Sequence, residues 1–487
     1  MATTSNRQRS QLWQVKPVGL ILRQSDESEH GLKRTLGPWS ITLLGIGAIV
    51  GTGIFVLTGV AAAKYAGPGL ILSFILAGIV SGLAAICYAE FASTVPIAGS
   101  AYTYSYATLG ELIAWIIGWD LILEYAVGAA AVSIGWSGYL TDLLKGALGI
   151  VLPKALTASP FAGGIINLPA FLIILVITAL LILGTSESAK INNIIVTIKL
   201  AVIVFFLVVG FGHINPANWT PFLPFGAGGV FRGAAIIFFA YIGFDQISTS
   251  AEESRNPSRD LPIGIFTSLL VCTALYILVT AVLTGVVSYT KLDVASPVSH
   301  ALILLGLNAA GSIISIGAIC GLTTVLLVLL YGQSRIFFSM SRDGLLPGLF
   351  ARVHPRFRTP YLSSLLVGIV VALIAGLTPI EVVAELTNIG TLSAFVLVSA
   401  AVWILRRTQP NLRRGYRVPL VPLIPILSMI ASFVLIVSLP LVTIIRFIVW
   451  LVIGLVIYFL YSQRKSHLRE EVLPLDRETV AEERRRM

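Results

Sequence analysis

A chain of 487 residues that is 56% hydrophobic and 11% charged, with a mean hydropathy of +0.91, is too apolar for a soluble protein and belongs in lipid. Its net charge of +10 reads as a topology signal, because the basic residues gather in tails and short loops, and a nucleic-acid partner is not expected. Cys87, Cys272 and Cys320 fall inside apolar runs as small buried hydrophobes, and the histidines include no pair at ligand spacing, so neither a disulfide framework nor a metal site is expected.

In chain order, residues 1–38 are polar (SNRQRSQ, RQSDESEH) without a secretory-signal pattern, and are expected to form a cytoplasmic N-terminal tail. About twelve apolar runs follow, each near the roughly 20 residues a helix needs to cross ~30 Å of hydrocarbon. Their expected limits are 39–63, 68–93, 108–135, 167–185, 191–212, 228–251, 262–288, 309–337, 361–377, 383–405, 419–438 and 441–462. The predicted fold is an all-α integral membrane protein of about twelve transmembrane helices.

Span 1 has at its centre GIGAIVGTGIF, with Gly45, Gly47, Gly51 and Gly53 where a helix interior least favours them. Two readings stand: close packing against another helix, or an unwound stretch near the bilayer midplane. Span 3 carries Asp120 and Glu124 one turn apart on one face, Asp120 read as structural, while Glu90 and Glu111 near span ends are expected at the membrane interface. Span 5 holds Lys199 in INNIIVTIKLAVIV, too deep to reach either surface comfortably. That lysine either exchanges a proton during a cycle or stays a fixed cation on freed carbonyls of span 1, such as Gly45 or Ile46.

Span 6 repeats the irregularity, with Gly243 and Asp245 in the middle of FFAYIGFDQIS, residues 238–248. Unwound backbone at that depth must line a protein-enclosed cavity. The N–H groups near Gly51, Thr52 and Gly53, just after Ile49, would open a half-helix whose positive end suits a carboxylate, with the Thr52 hydroxyl as a further donor. The carbonyls of Phe239, Ala240 and Ile242 would close a half-helix whose negative end suits an ammonium. A zwitterionic α-amino acid matches both ends. The charged, proline-bearing segments AEESRNPSRDLP (251–262) and SRDGLLP (341–347) read as inner-gate latches or as solvated linkers.

The layout divides into two matching halves. Residues 39–212 hold spans 1 to 5, 213–227 are an extracellular linker, and 228–405 hold spans 6 to 10. A cytoplasmic loop 406–418, two further spans in 419–462 and a cytoplasmic C-terminal tail 463–487 complete the chain. Five spans per half force the second copy to enter inverted. With both termini cytoplasmic, about 26 of the 33 basic residues lie inside.

The segments GIGAIVGTGIFVLTG, PIAGSAYTYSYATLGELIAWIIGWDLILEY, FFAYIGFDQISTSAEESRNPSRDLPIGI and YGQSRIFFSMSRDGLLP resemble the cationic amino acid transporter family of the amino acid, polyamine and organocation superfamily, notably its bacterial ApcT-like members. The resemblance covers almost the whole chain. It implies a LeuT-like five-plus-five inverted repeat with broken helices 1 and 6, alternating access and amino acid uptake across a bacterial cell membrane. It further implies that Lys199 occupies the place of a sodium ion, as in proton-coupled members, and that Glu124 and Asp245 act in proton coupling or gating. Leu329 of span 8 would face the substrate side chain, with Thr323 and Thr324 a turn or more away, and Phe239 would cover the ligand. An aliphatic wall at Leu329 favours small or apolar side chains and offers a guanidinium no partner.

The expected function is proton-coupled symport of L-amino acids, small neutral or cationic, with the proton as coupling ion and no cofactor. An exchanger without ion coupling and a non-transporting amino acid sensor are the alternatives, told apart by uptake into liposomes. Neither a channel filter nor a catalytic constellation is present in the sequence. The remaining partners expected are membrane lipid and, with the chain a monomer, room for a small accessory membrane subunit.

Overall fold

The computed structural model describes residues 13–16, 36–94, 100–184, 189–357, 359–412 and 414–467. Most of both tails, including Arg7, Arg9 and Arg484 to Arg486, therefore lies outside the described residues. Regular structure among the described residues is helical, with two isolated β-bridges, Leu36 to Ser254 and Thr157 to Asn167. The longer helices are α1 (Pro38–Ile49), α2 (Leu70–Thr94), α3 (Ser100–Thr108), α4 (Glu111–Leu148), α5 (Leu168–Leu183), α6 (Ala189–Phe211) and α7 (Gly226–Ile237). There follow α8 (Pro257–Val286), α9 (Asn308–Arg342), α10 (Tyr361–Leu377), α11 (Ile380–Thr408), α12 (Leu423–Val437) and α13 (Leu441–Ile457).

Among the described residues, eight helical runs are long and apolar enough to cross a membrane, and four shorter apolar helices, α1, α5, α10 and α12, have 12 to 17 residues. Long-range packing centres on α4, which lies against α9, α11, α10 and α5, while α8 packs on α1 and α2. The middle of α4 is buried all round, from Ile117 to Ser133. By contrast α6, α12 and α13 turn Val208, Phe433 and Val452 outward, as a lipid-facing rim requires.

Several boundaries differ from the sequence expectation. Span 3, expected to stop at 135, continues to Leu148 because polar Ser137, Thr141, Asp142 and Lys145 extend the helix past its apolar core, until Gly149 at φ +67° ends it. The segment 251–262, expected as a loop, is helical from Pro257, whose fixed φ suits a first-turn position. Cys320 is exposed on α9, while Cys87 and Cys272 are buried. Glu90 and Glu111, expected near the membrane interface, are buried within the protein, 1% and 0% exposed.

Each of those two acids is instead paired inside the fold. Glu90 takes a two-pronged contact from Arg406 (2.8 and 2.7 Å), an ion pair with Arg414 at 3.0 Å, and the Val418 N–H at 2.7 Å. Glu111 accepts from the hydroxyls of Tyr106 (3.1 Å), Tyr458 (2.9 Å) and Ser466. Side chains from distant segments reach these carboxylates, so their sequence position near span ends is misleading.

Candidate functional site

The centre of the molecule is built from two interruptions. Helix α1 stops at Ile49, and Val50 is extended (φ −75°, ψ 99°). Helical structure resumes as a π turn, Gly53–Leu57, with Phe55 N–H bonded to Gly51 O at 3.2 Å. A new half-helix leaves its first N–H groups without intrahelical partners, so those of Thr52 and Gly53 stand at its open end. In the second interruption, α7 tightens into a 3-10 turn, Phe238–Tyr241, Ile242 is extended, and Gly243 adopts φ +118° before the 3-10 segment Asp245–Glu253. A side chain at 243 would be strained in that conformation, and its Cβ would stand 2.9 Å from the Ala48 backbone.

The glycines therefore divide by role. A Cβ on Gly53 would stand 2.2 Å from Ala240 Cα, so this glycine allows two backbones to approach closely, and one on Gly45 would stand 2.5 Å from Ile247 Cδ1, so that glycine makes room for a packed side chain. A Cβ on Gly51 would meet nothing nearer than Val325 Cγ2 at 3.4 Å. Packing and unwinding, competing readings in the sequence, are here properties of different glycines in one stretch.

The two interruptions meet at a cavity of ≈ 20 Å³, room for about one water. Its walls include Ile49, Gly51, Thr52 and Gly53 from the first break, Phe239 and Ile242 from the second, Glu124 from α4 and Leu329 from α9. These are the expected binding residues with two qualifications. Ala240 does not line the cavity; its carbonyl accepts the Tyr276 hydroxyl at 2.8 Å. Asp245 is 3% exposed and accepts the Gly243 N–H at 3.2 Å, so it braces the break. Thr323 accepts the Trp136 indole N–H at 3.0 Å and stands outside the cavity lining, as does Thr324.

The Thr52 hydroxyl is fully buried and has no hydrogen-bond partner among the described residues, although it lines the cavity. A buried polar atom of that kind is normally satisfied. The carboxylate of Glu124 is the ionisable group in the lining, with Gln246 as an amide, and Gly128 and Val132 one and two turns further along α4, with Val325 and Leu329 of α9, supply apolar lining beside it. A larger cavity of ≈ 470 Å³, bounded by Tyr65, Arg232 and Leu441, lies away from both breaks.

Lys199 is fully buried, and its ammonium donates to Gly47 O at 2.9 Å and Val50 O at 3.2 Å. Gly47 lies in the last turn of α1 and Val50 just beyond its end, while the Ile46 carbonyl, one of the expected acceptors, takes the Val50 N–H at 2.9 Å. A cation there complements the negative helix end and satisfies acceptors that the break releases.

Two supporting residues escaped the sequence reading. The Tyr276 hydroxyl of α8 donates to Ile49 O at 2.9 Å and Ala240 O at 2.8 Å, one bifurcated tie between the two breaks. The Asn388 amide of α11 donates to Ala235 O and Ile236 O, both at 2.8 Å, at the end of α7. Their only sequence signal is a polar atom inside an apolar run, which many structural residues share.

On the face that carries the described ends of the chain, Lys16 is 5% exposed and its ammonium lies 3.0 Å from Asp343 Oδ1, while Tyr102 donates to Oδ2 at 2.6 Å. The expected latch segment 341–347 thus closes on residues 13–16. The side chains of Glu252 and Glu253, also expected in a latch, lie outside the described residues.

Comparison with known proteins gives a consistent family. The amino acid permease family model matches residues 36–467. The chain is similar to the methylthioribose transporter of Bacillus subtilis, 51% identical over 463 residues covering 95% of this chain and 100% of that protein. It is likewise similar to the branched-chain amino acid permease BcaP of the same organism, 55% identical over 447 residues, covering 91% and 96%. More distant is the vacuolar cationic amino acid transporter 4 of Arabidopsis thaliana, 37% identical over 404 residues, covering 82% and 67%.

Proposed function

This chain belongs to the amino acid permease family, a family of membrane transporters and not of enzymes, and we propose that it is a proton-coupled symporter of neutral L-amino acids. The observation that carries the reading is the meeting of two interrupted helices at one enclosed cavity, with an unpartnered Thr52 hydroxyl on its wall. The carboxylate of the substrate would lie on the N–H groups of the half-helix after Gly51 and on Thr52. Its ammonium would lie between Ile242 O and Glu124, since Tyr276 holds Ala240 O and the Ile242 N–H bonds Phe239 O at 3.3 Å.

The wall of Gly128, Val132, Val325 and Leu329 supports an aliphatic substrate side chain, in line with the similarity to a branched-chain amino acid permease. A guanidinium would find only Glu124, the acid already given to the substrate ammonium. Because the cavity is near one water in size, ligand entry requires the breaks and Phe239 to separate, as alternating access would do. In this reading the chain has twelve spans in a five-plus-five inverted repeat within a bacterial plasma membrane, both termini cytoplasmic, and works as a monomer. Lys199 takes the place of a sodium ion, and the Lys16, Tyr102 and Asp343 contact is the closed inner gate.

The test is a thermal-shift screen of the purified protein across the standard amino acids and methylthioribose, followed by proteoliposome uptake of the hits with and without a pH gradient. Stabilisation by valine, leucine, isoleucine or alanine, with uptake raised by an inward proton gradient and indifferent to sodium, is the expected result. Methylthioribose as the only ligand would replace the substrate assignment, a reading that the 51% identity to its transporter makes concrete. Uptake driven by sodium at constant pH would refute the proton assignment.

A further inference from the structure

Helix α4 carries a second acid, which the reading above leaves without a task. Asp120 lies nine residues after Glu111 at the start of α4 and four residues before Glu124, about 14 Å and ~6 Å along the axis respectively. The second spacing puts both carboxylates on one face. Asp120 is 1% exposed, and neither of its oxygens has a hydrogen-bond partner among the described residues.

Other buried acids show how unusual that is. Glu90 has two arginines, Glu111 three hydroxyls, Asp343 a lysine and a tyrosine, and Asp245 and Asp260 a backbone N–H each. Asp120 instead faces the backbone of α11: a Cβ on Gly390 would stand 2.9 Å from its Oδ1 and 3.7 Å from Glu124 Cβ. Glycine at 390 thus makes the room in which this carboxyl group sits, and closes α11 over the stretch between the two acids.

The groups around the pair bring no cation to Asp120. From α11, Thr391 reaches Glu124, and from the 3-10 segment Asp245–Glu253, Asp245 acts on Glu124 electrostatically. From α9, Gln333 donates to Ile122 O at 3.1 Å; from α13, the Trp450 indole donates to Trp119 O at 3.1 Å. Of the α3 tyrosines, Tyr102 engages Asp343, Tyr106 engages Glu111, and Tyr104 stacks on Phe91; α5 carries no ionisable residue, and α10 has only Tyr361, at its first position. Lys199 is committed to the carbonyls of Gly47 and Val50. An ionised carboxylate in such a place is costly, and a bound proton removes the cost.

We propose that Asp120 is a second proton-holding group of the transport cycle, lying between the α4 N-terminal face and the cavity and exchanging its proton with Glu124. In the exchange the O–H bond on Asp120 breaks as one forms on Glu124, directly or across one water. The charge left on Asp120 is neutralised by a proton entering from the α4 N-terminal face. The inference rests on the proton-coupled reading of the cavity and adds a residue to it.

The experiment compares wild-type protein with Asp120→Asn and Asp120→Glu in proteoliposomes. Each is assayed for ligand binding by thermal shift, for exchange of labelled amino acid at equal pH, and for accumulation driven by a pH gradient. Asp120→Asn should bind and exchange as wild type does while its driven accumulation ratio collapses to unity, and Asp120→Glu, which keeps the acid, should recover accumulation. Full accumulation by Asp120→Asn overturns the proposal. Equal failure of both variants in binding and exchange also overturns it, because Asp120 is then structural. If wild-type protein itself binds and exchanges amino acid but ignores the pH gradient, proton coupling fails, and the role of Asp120 with it.

Discussion

At the scale of single residues, charge and glycine carry different amounts of information. Lys199 stands out in the sequence because a lysine deep in an apolar run has few acceptable surroundings. Its contacts with Gly47 O and Val50 O were not legible, since they depend on the break falling at Val50. Lys199→Ala should lower the unfolding temperature, because Gly47 O and Val50 O lose a buried donor, and in the protein that still folds and binds ligand a pH gradient should no longer drive uptake. Undiminished proton-driven uptake by that variant would remove Lys199 from the coupling mechanism. For the glycines, Gly51→Ala has room at 3.4 Å from Val325 and should fold normally, with amino acid affinity lowered about tenfold, or ~1.4 kcal/mol, by the methyl group in the cavity. Gly53→Ala would press on Ala240 at 2.2 Å and should cost about 1–3 kcal/mol of stability. Thermal unfolding with and without ligand separates the two effects, and identical behaviour of the variants would contradict the division of roles.

At the scale of elements, a broken helix is stable only if its freed groups find partners. Asp245 provides one locally, on Gly243 N–H, while Asn388 on Ala235 O and Ile236 O and Lys199 on Gly47 O and Val50 O provide them from two distant helices. Tyr276 belongs to both breaks at once, and its ring packs on Phe74 and Tyr241, with centroids 5.4 and 5.5 Å away. Tyr276→Phe keeps that packing and removes the hydroxyl. The expected loss is about 1–3 kcal/mol, read as a lower unfolding temperature, together with a changed exchange rate because the two breaks are no longer tied. An unchanged unfolding temperature and rate would show that the hydroxyl does not couple them.

At the scale of the whole molecule, residues 13–16, α3, the end of α9 and residues 466–467 converge on one face through Lys16, Tyr102, Asp343 and Glu111. If that convergence is the closed gate, Lys16→Ala should raise hydrogen exchange of the α3 amides at least about tenfold, the factor that ~1.4 kcal/mol of opening free energy gives. Amide protection equal to wild type would mean that the Lys16 contact is incidental to closure.

The sequence by itself determined that the chain lives in lipid as apolar helices, because hydropathy and run length depend only on local composition. It located both interruptions, because a glycine beside an extended stretch and a charge in mid-span are local violations of helix preference. Only the tertiary structure decided which glycine packs and which faces the cavity, that Ala240 turns to Tyr276, and that Glu90 and Glu111 are interior. Those outcomes depend on groups far along the chain, such as Arg406 for Glu90, Tyr276 for Ala240 and Tyr458 for Glu111. Asp120 shows both limits: its depth is legible in the sequence, but the absence of a partner is visible only when every neighbouring helix is in place.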